Sequence, residues 1–407
     1  MPSTVVRKFY LLQATRSVGF VSPIFTLFLL RDLSFTVVGT LSALSAAVVV
    51  LGEVPTGYVG DRLGRRTSIG LSIGLKAVSL LGFVFVRSAA AYAVLYVPWA
   101  LGLTFASGSI DAWLYDTLSE RLDAGEFTRI RGRGEAVMAW SSVVTAVGGG
   151  ALYGVDPTWP FLASASLNLL GLGALASLPK NRAYRDSENE GRTGAETFGV
   201  LRRAVARPSL RAFALYVGLF FAVLSASTTY VQPIAESLLE TAIPGDLPVG
   251  LSLGLLYASF SGVTAVASQR AGALEDWLGT RWLLIIVPVV TSGLLVLPRL
   301  ALIAALPMFV AQRASRALLL PVVNGRVSEA VDDAGRATAV SAVSMLVKLY
   351  KLPLAVGAGV LADALGETTA VAALGGVFLL VAVASVAVRP LRLLADDGAG
   401  DDPDASA

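Results

Sequence analysis

Gly57-Tyr58-Val59-Gly60-Asp61-Arg62-Leu63-Gly64-Arg65-Arg66 separates two long apolar runs. An acid and three arginines fall within six residues of a chain that is otherwise poor in charge. A tight, charged turn at a membrane surface accounts for that density, with glycine supplying the backbone freedom the turn needs. The pattern returns. Gly57-x-x-x-Asp61-x-Leu63-Gly64-x-Arg66 is matched by Gly272-x-x-x-Asp276-x-Leu278-Gly279-x-Arg281. In the second copy Trp277 stands for Arg62 and Thr280 for Arg65.

The composition sets the class. The chain has 407 residues, of which 55% are hydrophobic and 15% charged, and a mean hydropathy of +0.70. A soluble domain carries about 25% charged residues. Apolar runs of roughly twenty residues recur along the chain, each long enough to cross a bilayer as a helix. Helices are expected there because the bilayer core offers backbone groups no water. Cysteine and histidine are absent, which excludes disulfides, thiol chemistry and the usual zinc or haem ligands. Any proton the protein handles must then ride on a carboxylate rather than an imidazole. No cleavable signal peptide is expected ahead of the first apolar run.

Twelve spans are expected, at about 9–30, 36–60, 67–86, 91–116, 134–155, 159–178, 212–239, 250–271, 281–298, 301–324, 337–359 and 367–388. The fold class is therefore all-α membrane protein, with an N-terminal six-helix bundle at 1–178, a charged linker at 179–209 and a C-terminal six-helix bundle at 210–392. The acidic tail 393–407 is expected to be disordered. Loops on the side of Gly57–Arg66 hold nearly all the loop bases, whereas the opposite loops hold only Arg31, Arg87 and Arg299. That bias places both termini in the cytoplasm of a plasma-membrane protein. Val21-Ser22-Pro23-Ile24 and Val231-Gln232-Pro233-Ile234 match, as do Ser119-Glu120 and Ser328-Glu329. Together with the glycine-acid-base turns they recur at offsets of about 210 residues, as duplication of a six-helix unit requires.

The G-x-x-x-D-R-x-G-R-R pattern resembles the loop between helices 2 and 3 of the major facilitator superfamily of transporters. The resemblance extends over essentially residues 5–392. It implies two pseudo-symmetric six-helix bundles that expose a central cavity alternately to the two sides of the membrane, with spans 1, 4, 7 and 10 around that cavity. It also implies a conformational gate at Gly57, Asp61, Arg62, Gly64, Arg65 and Arg66, echoed at Gly272, Asp276, Gly279 and Arg281. In the family the acid of this loop contacts the opposite half when the cytoplasmic side is closed; here the start of span 11, near Arg336, is its expected partner. The chain departs from the family at span 4, where Thr104 stands near the place of a common arginine.

Ionisable groups inside spans mark function by default. Arg16 and Asp111 fall at similar depths of spans 1 and 4 and are expected to pair, with Glu53 and Asp116 nearby, as a proton or substrate site. The bland alternative is a static ion pair ordering the first bundle. Arg313 and Arg316 share a face of span 10, and Lys348 and Lys351 follow in span 11. With Gln13, Thr228, Tyr230 and Gln232, the residues Arg313, Arg316 and Lys348 are the candidate substrate cavity, and their charge suits an anionic ligand. The resulting reading is a secondary transporter, not an enzyme, with a small-molecule substrate, protons as coupling ion and the bilayer as its medium. It needs no cofactor, metal or nucleic acid and works as a monomer. Efflux of amphipathic or anionic compounds is the favoured direction. The alternative is import of a sugar or organic acid by proton symport or facilitated diffusion. A transporter-derived receptor and a membrane enzyme are the rival classes.

Overall fold

The computed structural model describes residues 4–180, 208–241, 247–329 and 336–388. The linker 181–207 and the tail from residue 389 onward lie outside the described residues. Span 2 is Phe35–Leu63, span 3 Arg65–Phe85, span 5 Phe127–Val155, span 6 Trp159–Ala176, span 8 Val249–Leu278, span 9 Thr280–Val296, span 10 Ala305–Glu329, span 11 Arg336–Leu365 and span 12 Glu367–Val388. Spans 1, 4 and 7 are interrupted: Thr4–Thr15 with Phe25–Leu30, Ala89–Ala106 with Ser109–Arg121, and Pro208–Ser227 with Val231–Thr241 across a 3₁₀ turn at Thr228–Tyr230. Among the described residues, eleven stretches are long and apolar enough to cross a membrane. The twelfth is span 1, whose break leaves neither piece long enough alone.

The spans form two pseudo-symmetric six-helix bundles. The heaviest packing between them joins span 2 to span 11 and span 5 to span 8. Those two seams are tightest at the end of the molecule away from Gly57–Arg66. There a side chain at Gly39 would run into the carbonyl oxygen of Ala355, and one at Gly150 into that of Gly250. Leu27 of span 1 buries itself in the core of the second bundle. The far end is therefore closed.

The two charged turns form as the sequence predicts. Gly64 (φ 87°) and Gly279 (φ 75°) end spans 2 and 8 in a region of backbone space that side chains disfavour. Each lets the next span start at once, with the Gly64 N–H donating to the Gly60 carbonyl at 3.0 Å.

Candidate functional site

Two connected lobes lie between the bundles, of about 360 and 440 Å³. They share Phe25, Thr26, Trp99, Ser225 and Thr229. Of the candidate substrate-cavity residues, Thr228, Gln232, Arg313 and Arg316 line the larger lobe and Lys348 the smaller. Lys351, Tyr257 and Gln312 join them. Among the described residues no Asp or Glu lines either lobe. The walls differ in chemistry: the first bundle supplies Phe25, Tyr96, Trp99 and Leu103, and among the described residues the cations come from the second bundle. Gln13 and Tyr230 are elsewhere. Gln13 is buried and its amide oxygen accepts from Arg16, while Tyr230 is buried and stacks on Phe35 at 5.7 Å.

The interrupted helices build the cavity. The break in span 1 frees backbone groups in a region without bulk water, and partners must be supplied. Ser17 meets Ser142 at 3.0 Å and Thr145 at 2.9 Å, which docks the break on span 5. Ser141 of span 5 donates to the Ala14 carbonyl at 2.8 Å, and further partners come from the opposite bundle. The Gln232 amide oxygen accepts from the Thr26 N–H at 2.7 Å and the Leu27 N–H at 3.3 Å. Its amide nitrogen donates to the Ser22 carbonyl at 2.8 Å and to the Tyr257 hydroxyl at 3.1 Å. Gln232 is thus a clamp between the bundles rather than a free hydrogen-bonding group.

The expected Arg16–Asp111 pair does not form. Asp111 accepts from Arg131 of span 5 at 2.8 Å, on an exposed face, and Arg16 bonds Gln13 instead. Matching depth along two helices says nothing of which way each side chain points, and Gly108 (φ 71°) turns the second piece of span 4 toward span 5. Asp116 pairs with Arg65 at 3.3 Å, tying the charged turn to span 4. Glu53 has a different partner from the one expected: Lys348 of span 11, at 3.5 Å. This ion pair crosses between the bundles, and both side chains are about a quarter exposed, at 28% and 26%. The second Glu53 carboxylate oxygen is buried without a hydrogen bond. Arg313 sits over the rings of Phe260 (4.7 Å) and Tyr257 (5.5 Å), contacts that offset part of the cost of removing its charge from water.

At the charged-turn end, Arg66 donates to the Ala176 carbonyl at 2.8 Å and Arg62 lies over the Tyr58 ring at 4.7 Å. In the second copy Thr280 donates to Glu275 at 2.7 Å, and Arg281 lies 6.0 Å from the Trp282 ring. Asp276 is exposed. Gly57 and Gly272 have open space beside them. The side chains of Asp61 and Arg336 lie outside the described residues.

A carboxylate latch is visible at the far end. Asp363, near the end of span 11, accepts from the Phe35 N–H at 2.8 Å and the Thr36 N–H at 2.9 Å. It caps the start of span 2 from the other bundle, where unpaired amides and the helix dipole favour an anion. This is the far-side counterpart of the contact expected between Asp61 and span 11. The exposed cap contributes about 1 kcal/mol to closure. Asp363→Ala is expected to raise the rate of alkylation of a Leu27→Cys reporter about fivefold in a chain with no other cysteine. An unchanged rate would remove Asp363 from the closure.

The family follows from comparison with known proteins. A model of the Major Facilitator Superfamily matches residues 12–347. The chain belongs to that superfamily. It is 28% identical over 165 residues to the uncharacterised MFS-type transporter YxaM of Bacillus subtilis (strain 168), a stretch covering 40% of each chain. A mutant of the nucleoside transporter NupG superposes with a TM-score of 0.79 at 12% identity, over 94% of this chain and 99% of that one. A bacterial homologue of the human lysosomal transporter Spinster, inward-facing and unoccupied, superposes with a TM-score of 0.73 at 17% identity, over 94% and 96% of the two chains. At such identities the superpositions establish the fold. With eleven membrane-length apolar stretches among the described residues, the chain is a multi-pass membrane protein of that superfamily.

Proposed function

We propose that this protein carries an organic anion together with a proton, by alternating access between its two bundles. The observation behind this reading is the Glu53–Lys348 pair at the edge of a cavity whose charged lining, among the described residues, is cationic. Protonation of Glu53 releases Lys348 to bind an anion. An anion on Lys348 leaves the Glu53 carboxylate without its counter-ion and so favours its neutral form. Each ligand strengthens binding of the other, as linkage requires. Asp111 and Asp116, the acids on neighbouring span 4, are already engaged by Arg131 and Arg65.

Mutual reinforcement favours symport over exchange. An inward proton gradient then drives uptake, so the import alternative fits this geometry better than efflux. With the charged-turn end taken as cytoplasmic from the loop charges, the closed far end supports an inward-facing state in the plasma membrane.

The test is flux in proteoliposomes with a pH-sensitive dye trapped inside. Phenyl phosphate, phthalate and benzenesulfonate are supplied outside at neutral pH; the last does not cross the bilayer as a neutral acid. Acidification of the lumen together with accumulation of the anion is the expected result. Anion entry without a pH change rejects coupling. Lumen alkalinisation during anion entry indicates exchange and restores the efflux reading.

A further inference from the structure

The cations of the cavity are not equivalent, and their differences bear on the ligand. Lys348 has Glu53. Arg313 has the faces of Phe260 and Tyr257. Arg316 and Lys351 have nothing comparable: among the described residues neither makes a hydrogen bond, an ion pair or a ring contact. They come from spans 10 and 11, which pack against each other. Each lines one of two lobes that meet at Ser225 and Thr229.

Two uncompensated like charges in a narrow, partly desolvated space repel each other and cost free energy. A protein that maintains such a pair gains if its ligand neutralises both. A singly charged anion satisfies one and leaves the other exposed to the same cost. Among the described residues the opposite wall contributes no cation for a second charged head; its polar groups are neutral, the hydroxyls of Thr26, Ser42 and Ser45 among them. Phe25 and Trp99 stack at 6.2 Å, and Tyr96 continues the aromatic surface.

We propose that the ligand is an organic anion with a doubly charged head, either a phosphate monoester or two carboxylates on neighbouring carbons. The head sits between Arg316 and Lys351, and its apolar body lies against Phe25, Tyr96 and Trp99. This rests on the organic-anion reading and narrows it. Arg316 and Lys351 are the residues that set specificity for charge, and Lys348, freed from Glu53, adds to them when the proton is bound.

The experiment is calorimetric titration of the purified protein in lipid nanodiscs at pH 7.5. The probes are benzenesulfonate, phthalate and phenyl phosphate, which place one or two charges on a similar ring. The two dianions are expected to bind about tenfold more tightly than benzenesulfonate, the scale of one charge-assisted hydrogen bond. Preference for phenyl phosphate alone assigns a phosphate head, and preference for phthalate alone a dicarboxylate. Lys351→Gln and Arg316→Gln each erase the preference, weakening the two dianions about tenfold more than benzenesulfonate. Lys351→Arg, which keeps the charge, retains it and controls for misfolding. If benzenesulfonate binds as tightly as the dianions, and the two neutral variants weaken all three alike, the anion reading stands and the doubly charged head is wrong. If no probe binds, both are wrong.

Discussion

Glu53→Gln is expected to abolish proton coupling while tightening anion binding. The amide has the shape of the carboxyl group, carries no charge and takes no proton at the pH of interest, so it imitates the protonated state permanently. Lys348 then has no carboxylate at 3.5 Å to hold it. On the linkage developed above, phenyl phosphate affinity rises about tenfold, the scale of one released charge-assisted contact. Anion flux down its own gradient persists. Accumulation driven by a pH gradient falls to that of protein-free liposomes, and the lumen no longer acidifies. A merely structural ion pair gives the opposite result: losing Glu53 leaves a partly buried lysine unpaired, the seam between spans 2 and 11 weakens, and affinity falls or is unchanged with coupling intact. Lys348→Gln separates the readings again, because it should cost anion affinity in both protonation states.

The parts of this protein that were legible in the sequence are those governed by one-dimensional rules. Spans are visible because lipid demands long apolar runs. The turns at Gly64 and Gly279 are visible because few residues other than glycine adopt φ 87° and 75° between two abutting helices. The cationic character of the cavity is visible because Arg313 with Arg316, and Lys348 with Lys351, each recur one turn apart, which puts each pair on one face of its helix. Pairing was not legible. Arg16 and Asp111 match in depth, but depth leaves the direction of a side chain around its helix undetermined, and Arg131 of span 5 is the group Asp111 faces. Glu53 and Lys348 are also similar in depth, roughly 15–18 Å from the charged-turn ends of spans 2 and 11 at 1.5 Å per residue. Nothing local marks them as partners, since their contact exists only once the two bundles are apposed. The interruptions of spans 1, 4 and 7 were missed for a related reason. Gly19, Pro23 and Gly108 stand at or near the breaks, yet glycine and proline are common in continuous membrane helices. Besides the hydroxyls of span 5, what stabilises the break in span 1 is a side chain from the other half of the chain.

That side chain carries the second large expectation. Gln232→Leu is expected to open the far end and reduce transport about a hundredfold or more. Gln232 is 4% exposed, and its carboxamide orientation is set by its partners: an amide N–H donates to its oxygen, and a carbonyl oxygen accepts from its nitrogen. Leucine fills much of the same volume and meets none of these needs. The N–H groups of Thr26 and Leu27 and the carbonyl of Ser22 are then buried without partners, at about 1–3 kcal/mol for each such group. Some of that penalty is relieved if the bundles part and water enters, so the closed far end loses about 3 kcal/mol relative to the open one, on the order of a hundredfold in population. A Val38→Cys reporter, 3% exposed at the same seam, should be alkylated faster by a similar factor. The purified variant should still melt cooperatively, since each bundle keeps its own core. Gln232→Glu, which keeps the acceptor for Thr26 and Leu27 and loses the donor to Ser22, should fall between. If Gln232→Leu leaves both transport and alkylation at wild-type levels, the break in span 1 draws its stability from span 5 through Ser17, and the bundles close without this clamp. If transport falls while alkylation does not, Gln232 acts on the ligand in the larger lobe and not on the closure of the far end.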